Sequence, residues 1–152
     1  MLRQELNDAL KTAMKAKDER AVSTLRMVLA GLKDKDIAAR PKGNTAGISD
    51  DEARQVMQNM IRQRRDSIVM YEKGGRAELV KQESEEIAII ERFLPKQMSA
   101  AEVEAAAKGV IAELGAKDVK DMGKVMAAMK QRFAGQMDLS QVGPIVKKLL
   151  GG

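Results

Sequence analysis

Six basic side chains near the C-terminal end of the chain have the residue types and spacing for binding phosphate groups. Lysine and arginine neutralise nucleic-acid phosphates, and a glycine at a helix start lets a phosphate approach backbone N–H groups. Gly123, in the run DMGKVM, stands where such a helix is expected to begin. A solvated basic helix face is the alternative interpretation of these residues. The six side chains are Lys120, Lys124, Lys130, Arg132, Lys147 and Lys148.

A second basic group, Arg62, Arg64 and Arg65, lies near the middle of the chain. At about 100° per residue, Arg64 falls within the apolar arc of its predicted helix. Glu83 and Glu86 occupy the apolar arc of the following helix. Because an unpaired buried guanidinium is strongly unfavourable, the pattern predicts that Arg64 pairs with Glu83 or Glu86 across a helical hairpin. A ligand contact is the alternative for Arg64, and Arg62 is expected to be solvated.

Side chains for catalysis or metal binding are scarce. The 152 residues include no cysteine and no histidine, which excludes thiolate and imidazole as nucleophile, base or metal ligand. Ser67 and Ser84 therefore have no histidine to activate them. No Walker-type phosphate loop is present, and we interpret Gly74-Gly75-Arg76 as a break between helices. We predict no catalytic residue, no metal site and no cofactor.

Composition favours an all-α fold. Aromatic residues are only 2% of the chain, and the abundant Ala, Leu, Met, Lys, Glu and Gln are strong helix formers. The net charge of +5 is a mild bias, weaker than the dense basic block of an autonomous RNA-binding tail. No window approaches the run of about 18 apolar residues that would span a membrane. We expect a cytoplasmic protein with no secretory signal and no membrane partner.

The N-terminal part is predicted to form four helices. Asp18 is a suitable cap for the second helix, and Ser49 with Glu52 has the pattern of a capping box for the third. Gly74-Gly75 is expected to separate the third and fourth helices, and Pro95 to mark a domain boundary. The four helices are predicted over about residues 2–16, 19–39, 50–73 and 76–93, with a loop at 40–49.

The remaining residues are predicted to form three shorter helices. A second capping box opens at Ser99, and Gly115 suits the end of the fifth helix. Asp118 or Asp121 is expected to cap the sixth helix, and Pro144 to delay or kink the first turn of the seventh. The sequence therefore predicts a four-helix N-terminal domain over residues 1–95 and a three-helix C-terminal domain over residues 98–152.

Three stretches resemble a known family. They are STLRMVLAGLK at residues 23–33, QRRDSIVMYEKGGRAELVKQESEEIAIIERFLPKQMS at 63–99 and KDMGKVMAAMK at 120–130. They are similar to the YqeY-like proteins of the GatB/YqeY family, which are related to the C-terminal region of GatB, the tRNA-handling component of the glutamine-dependent aspartyl/glutamyl-tRNA amidotransferase. The departures from the family pattern are Pro144 and the small-residue loop at 43–47.

The resemblance implies a C-terminal domain like the GatB tail, which contacts tRNA while amide transfer takes place elsewhere in that enzyme. We therefore expect a non-catalytic helical module that binds the tRNA backbone through its C-terminal domain. Two alternatives stay open. One is a protein-interaction adaptor for a tRNA synthetase or an amidotransferase. The other is an accessory part of a carbon–nitrogen ligase that uses glutamine as amido-N-donor.

Overall fold

A computed structural model describes residues 1–151, and the chain in that range is all-α, as predicted. The described residues contain seven α-helices, two single-turn 3-10 helices at Arg40–Lys42 and Val119–Asp121, and no strand. They divide into two compact units, Met1–Leu94 and a second that begins at Pro95. The helices are α1 (Leu2–Lys15), α2 (Glu19–Ala39), α3 (Asp50–Lys73), α4 (Ala77–Glu91), α5 (Ala100–Leu114), α6 (Met122–Arg132) and α7 (Leu139–Leu149).

Local capping sets the helix limits in the first unit. The Asp18 side chain accepts a hydrogen bond from the Ala21 backbone N–H at the start of α2. Ser49 and Glu52 form the predicted capping box at the start of α3. After α3, Gly75 takes a φ of +68°, a left-handed conformation that glycine adopts without a Cβ clash. That turn lets α4 fold back along α3, with which it packs.

The core of the first unit lies around α2, which packs against the other three helices. Gly31 allows a close approach there, because a Cβ at that position would lie 2.5 Å from the Met60 side chain on α3. The interior is aliphatic and methionine-rich, as expected of a chain with few aromatic residues. Its fully buried side chains include Leu2, Leu6, Val28, Leu32, Met57 and Ile90.

The second unit is a three-helix arrangement in which α5, α6 and α7 all pack against one another. Ser99 and Glu102 form a capping box at the start of α5, and Gly115 ends that helix with a φ of +66°. Both features follow the sequence pattern. The core of the unit is formed by Val103, Ala107, Val110, Val125, Met129, Met137, Val142, Val146 and Leu150.

Two of the expectations about the C-terminal helices are wrong, namely Asp118 as the cap of α6 and a delayed start of α7. Asp118 does not cap α6, because its carboxylate accepts from the Lys120 N–H and caps the preceding 3-10 turn. Asp121 is the N-cap residue of α6 but makes no capping hydrogen bond with its side chain. Pro144 does not delay α7, which begins at Leu139 because Asp138 caps it there. Pro144 lies in the second turn, where it cannot donate a hydrogen bond to the Ser140 carbonyl and its ring crowds that carbonyl.

Candidate nucleic-acid interface

The six C-terminal basic side chains predicted to bind phosphate are all on the surface of the second unit. Lys120 lies in the 3-10 turn, Lys124, Lys130 and Arg132 on α6, and Lys147 and Lys148 on α7. Each is exposed, and so is Gly123 in the first turn of α6.

Helix periodicity explains this exposure. The buried residues of α6 are Val125 and Met129, four positions apart on one face. Lys124 is rotated about 100° or more from both of them. On α7 the buried residues are Val142 and Val146, and the adjacent lysines at 147 and 148 point away from that stripe. The aliphatic core of the unit therefore places these lysines in solvent.

The lysines carry charge that no carboxylate of the described chain neutralises. Lys120, Lys124, Lys130, Lys147 and Lys148 form no ion pair within 4.0 Å among residues 1–151. A solvated ammonium group can exchange its water and counterions for a phosphate. These five side chains are thus available to an anionic ligand.

Arg132 differs from the lysines because it already has a partner. Its guanidinium forms a two-pronged ion pair with Glu113 on α5, in which Nη2 lies 3.0 Å from Oε1 and Nη1 contacts Oε2. The Arg132 hydrogen bond lowers the pKa of the Glu113 carboxyl below its usual value. A phosphate would have to compete with Glu113 for this guanidinium, so Arg132 is better suited to joining α5 to α6.

Two carboxylates lie at the start of α6, near Lys120 and Gly123. Asp118 accepts from the Lys120 N–H at 2.9 Å, and Asp121 accepts from the Lys117 N–H at 3.1 Å. Their negative charge opposes a phosphate at this helix terminus, although Lys120 offsets part of it. The other four lysines, at positions 124, 130, 147 and 148, lie on α6 and α7 themselves and form the centre of the candidate interface. We call these four residues the α6–α7 lysine group.

Packing does not explain the glycine at position 123. A Cβ built on Gly123 meets no atom within 4 Å, and glycine inside a helix is less favourable than alanine. We expect Gly123→Ala to raise the free energy of unfolding by about 0.5 kcal/mol, measured by chemical denaturation. Gly109→Ala on α5 is the matched control, since Gly109 is equally open.

The same pair of variants tests whether Gly123 belongs to the interface. A loss of RNA affinity with Gly123→Ala and not with Gly109→Ala would indicate that a phosphate approaches the backbone there. Equal affinities would remove Gly123 from the site. A drop in stability with Gly123→Ala would contradict the open surroundings of this glycine.

The central arginines have a different environment from the C-terminal lysines. The Arg64 side chain is only 12% exposed, and its Nε lies 2.9 Å from Glu86 Oε2 and 3.9 Å from Glu83 Oε2. Its Nη1 donates to the Met60 carbonyl oxygen at 3.1 Å. The structure thus brings Arg64 together with both Glu83 and Glu86, the two glutamates that helix periodicity placed opposite it. Arg65 pairs with Glu91 on the surface, and Arg62 is half-buried rather than fully solvated.

Burial and charge shift the titration of this cluster. Desolvation raises the pKa of Glu83, and the neighbouring Glu86 carboxylate raises it further, while the Arg64 charge opposes both effects. Arg20 on α2 pairs with Glu85 at 3.2 Å and lies 3.9 Å from Glu86. The sequence did not reveal the role of Arg20, because no local spacing connects α2 to α4. The cluster links three helices and is a structural element of the first unit.

The arginine that follows the turn at Gly74-Gly75 already has a carboxylate partner. Arg76 Nε donates to Glu78 Oε1 at 2.8 Å, which lowers the pKa of the Glu78 carboxyl. No group of three or more acidic side chains among the described residues could hold a metal ion. In the same part of the chain, no helix is both long and apolar enough to cross a bilayer.

Comparison with known proteins gives a family and several relatives. The family model described as Yqey-like protein matches residues 3–150. Three yeast proteins named altered inheritance of mitochondria protein 41, mitochondrial, are also similar. The protein from Lachancea thermotolerans is 37% identical over 103 residues, which cover 68% of this chain and 53% of the relative.

The other two relatives give similar values. The Kluyveromyces lactis protein is 38% identical over 88 residues, covering 58% of this chain and 45% of the relative. The Eremothecium gossypii protein is 34% identical over 103 residues, covering 68% of this chain and 54% of the relative. The matched region thus spans about half the length of these curated relatives.

Proposed function

This chain belongs to the YqeY-like protein family, and we propose that it is a non-catalytic helical module that binds the tRNA backbone. In this proposal the second unit makes the RNA contacts through the α6–α7 lysine group. The first unit is a helical body in which Arg64 pairs with Glu83 and Glu86.

The observation that carries the proposal is the set of exposed lysines on α6 and α7 that have no carboxylate partner in the described chain. Arg64, Arg76 and Arg132 are paired with glutamates, whereas Lys11, Lys33 and Lys35 of the first unit are exposed without an ion pair in the described chain and therefore serve as the comparison. Maintaining several unpaired cations on one small unit is unfavourable through self-repulsion, and a polyanionic partner relieves that repulsion.

The chemistry of the surface favours contacts to phosphate over reading of bases. Bases are recognised by stacking on aromatic or arginine side chains and by hydrogen bonds to their edges. The aromatic residue of the second unit, Phe133, packs against the core, and Arg132 is held by Glu113. Lysines alone position a nucleic acid without reading its sequence. We therefore propose that the chain recognises tRNA by shape and charge.

A titration of tRNA with the full chain at two salt concentrations tests this function. If the four lysines of the α6–α7 group each contact a phosphate, raising the salt from about 50 to about 200 mM weakens binding roughly 50- to 150-fold. The measurement is fluorescence anisotropy of end-labelled tRNA. Binding that is undetectable at the lower salt concentration, or insensitive to salt, would reject the proposal.

We propose no autonomous amide transfer for this chain, since no described cluster resembles a glutaminase or nucleotide site. Its link to amidation would be an association with an enzyme that carries those sites. We also place the chain in the cytoplasm, where tRNA and its synthetases are abundant. The names of the yeast relatives place those proteins in mitochondria.

A further inference from the structure

A shallow aliphatic cleft lies in the second unit, between the end of α5 and the end of α7. Its volume is about 440 Å³. Its uncharged lining residues, which we call the floor, are Ile111, Ala112, Gly115, Ala116 and Leu149. The cleft is separate from the α6–α7 lysine group, since none of those four lysines lines it.

Two exposed aliphatic residues lie close in sequence to residues that line the cleft. Leu114 directly precedes Gly115 and is 45% exposed, and Val119 is 41% exposed. Isolated exposed aliphatic side chains are common, but an apolar cleft with further exposed aliphatic residues next to it is typical of an interaction site. The cleft is of a size to accept one or two aliphatic side chains.

Two lysines line the cleft, and a carboxylate lies near each of them, Glu104 beside Lys108 and Asp121 at the Lys117 backbone N–H. Neither carboxylate lines the cleft itself. Lys108 also contacts Glu104 at 3.4 Å, but both side chains are more than half exposed, and such surface pairs are weak. The lining therefore complements a ligand that carries both negative and apolar groups.

Two classes of anionic ligand meet that description, and the lining distinguishes them. A nucleotide base inserted in the cleft would need an aromatic or arginine side chain to stack on. The lining contains neither, only aliphatic, glycine and lysine residues. A leucine or isoleucine side chain packs well against such a surface. A protein segment fits the cleft better than RNA does.

We propose that this cleft docks a short acidic segment of a partner protein. One aliphatic side chain of that segment occupies the floor, and flanking carboxylates pair with Lys108 and Lys117. This interaction goes beyond the proposed tRNA binding and uses none of the residues of the α6–α7 lysine group. The second unit would then hold RNA with one surface and a protein with another.

The proposal is tested by NMR on the full chain with labelled isoleucine methyl groups. The probe is a synthetic peptide of about ten residues with one central leucine flanked by glutamates. We expect it to shift the Ile111 methyl resonance, and not that of Ile61 in the core of the first unit. A matched peptide with serine in place of leucine is expected to bind about tenfold more weakly or not at all.

A pair of variants locates the binding surface. Ala112→Glu introduces a carboxylate into the cleft and is expected to reduce peptide affinity at least about tenfold. Ala101→Glu, on an exposed position of the same helix outside the cleft, is expected to bind as the parent does. Circular dichroism of both variants checks that the helices persist.

Three outcomes would overturn the proposal. The first is an Ile111 resonance that does not respond to the acidic peptide. The second is equal peptide affinity of Ala112→Glu and the parent. The third is a shift of Ile111 by tRNA together with loss of tRNA affinity in Ala112→Glu, which would assign the cleft to RNA. The lysines of the α6–α7 group are unchanged in these variants. Loss of the peptide-docking proposal would therefore not contradict the proposed tRNA binding.

Discussion

Replacing Arg64 with methionine is expected to lower the free energy of unfolding of the first unit by about 2 to 3 kcal/mol. Removing one member of a partly buried ion pair leaves the remaining charge without compensation where water screens it poorly, which is destabilising. Arg64, Glu83 and Glu86 have side chains that are only 12%, 17% and 14% exposed. Methionine retains much of the packing volume, so the effect measures the lost charge.

When Arg64 is removed, Glu83 and Glu86 do not lose the same share of their charge compensation. Glu86 keeps Arg20 at 3.9 Å and Gln82 at 3.3 Å. Glu83 has no other ion-pair partner among the described residues, and its pKa is already raised by burial and by Glu86. We therefore expect Glu83 to account for most of the destabilisation.

This unequal loss gives the Arg64 variant a defined dependence on pH. A carboxyl group whose pKa is higher in the folded than in the unfolded protein binds protons more tightly when folded. Stability then falls as the pH rises through the window above the unfolded value of about 4.5. Losing Arg64 raises the pKa of Glu83 further. The stability deficit of Arg64→Met is thus expected to be larger at pH 7 than at pH 5.

The measurement can be confined to the first unit. The chain contains no tryptophan and one tyrosine, and Tyr71 lies on α3. Tyrosine fluorescence during urea titration therefore follows the first unit, while far-UV circular dichroism follows both. Arg65→Met is the matched control, because Arg65 forms an exposed pair with Glu91. We expect this variant to lose less than about 1 kcal/mol of unfolding free energy.

A compensating variant completes this test. Adding Glu83→Gln and Glu86→Gln to Arg64→Met removes the orphaned charges, and we expect most of the lost stability to return. An Arg64→Met protein as stable as the parent at pH 7 would show that the ion pair does not hold α3 and α4 together. No recovery in the triple variant would mean that Arg64 acts through its other contacts, the hydrogen bonds that it donates to the Met60 carbonyl oxygen and to the Met27 sulfur.

Changing Lys124, Lys130 and Lys147 together to glutamate is expected to reduce tRNA affinity at least about 100-fold at low salt. Each lysine that contacts a phosphate releases about one counterion, and reversing its charge adds repulsion to the lost contact. All three side chains are exposed and form no ion pair in the described chain. Their replacement should therefore leave the fold intact.

The salt dependence of the variant distinguishes local contacts from general attraction. Removing three phosphate contacts is expected to reduce the slope of log affinity against log salt by about 2 to 3. The control is a second triple variant, Lys11, Lys33 and Lys35 to glutamate, on exposed positions of α1 and α2. Both triple variants change the net charge by the same amount.

The comparison of the two triple variants decides the location of the RNA surface. We expect the α1–α2 variant to bind within about threefold of the parent, through long-range charge alone. Equal losses in both variants would show that tRNA responds only to net charge. A larger loss in the α1–α2 variant would move the interface to the first unit.

Local structure was predictable from sequence because its causes are local. The capping boxes at Ser49 and Ser99, the Asp18 cap and the helix-ending glycines at 75 and 115 were all expected and are all present. Each depends on side-chain and backbone groups within a few residues. The facing, partly buried positions of Arg64, Glu83 and Glu86 followed from helix periodicity, because the turn at Gly74-Gly75 makes the two helices antiparallel neighbours.

The sequence alone thus determined that the chain is helical, where most of its helices begin and end, and that it lacks thiolate and imidazole chemistry. Only the tertiary structure decided which charged side chains are available. It paired Arg132 with Glu113, joined Arg20 to Glu85, and left the α6–α7 lysine group without carboxylate partners in the described chain. It also formed the cleft between α5 and α7. The reason is that contacts between helices depend on how they cross and on their relative register, and a 3.6-residue period encodes neither.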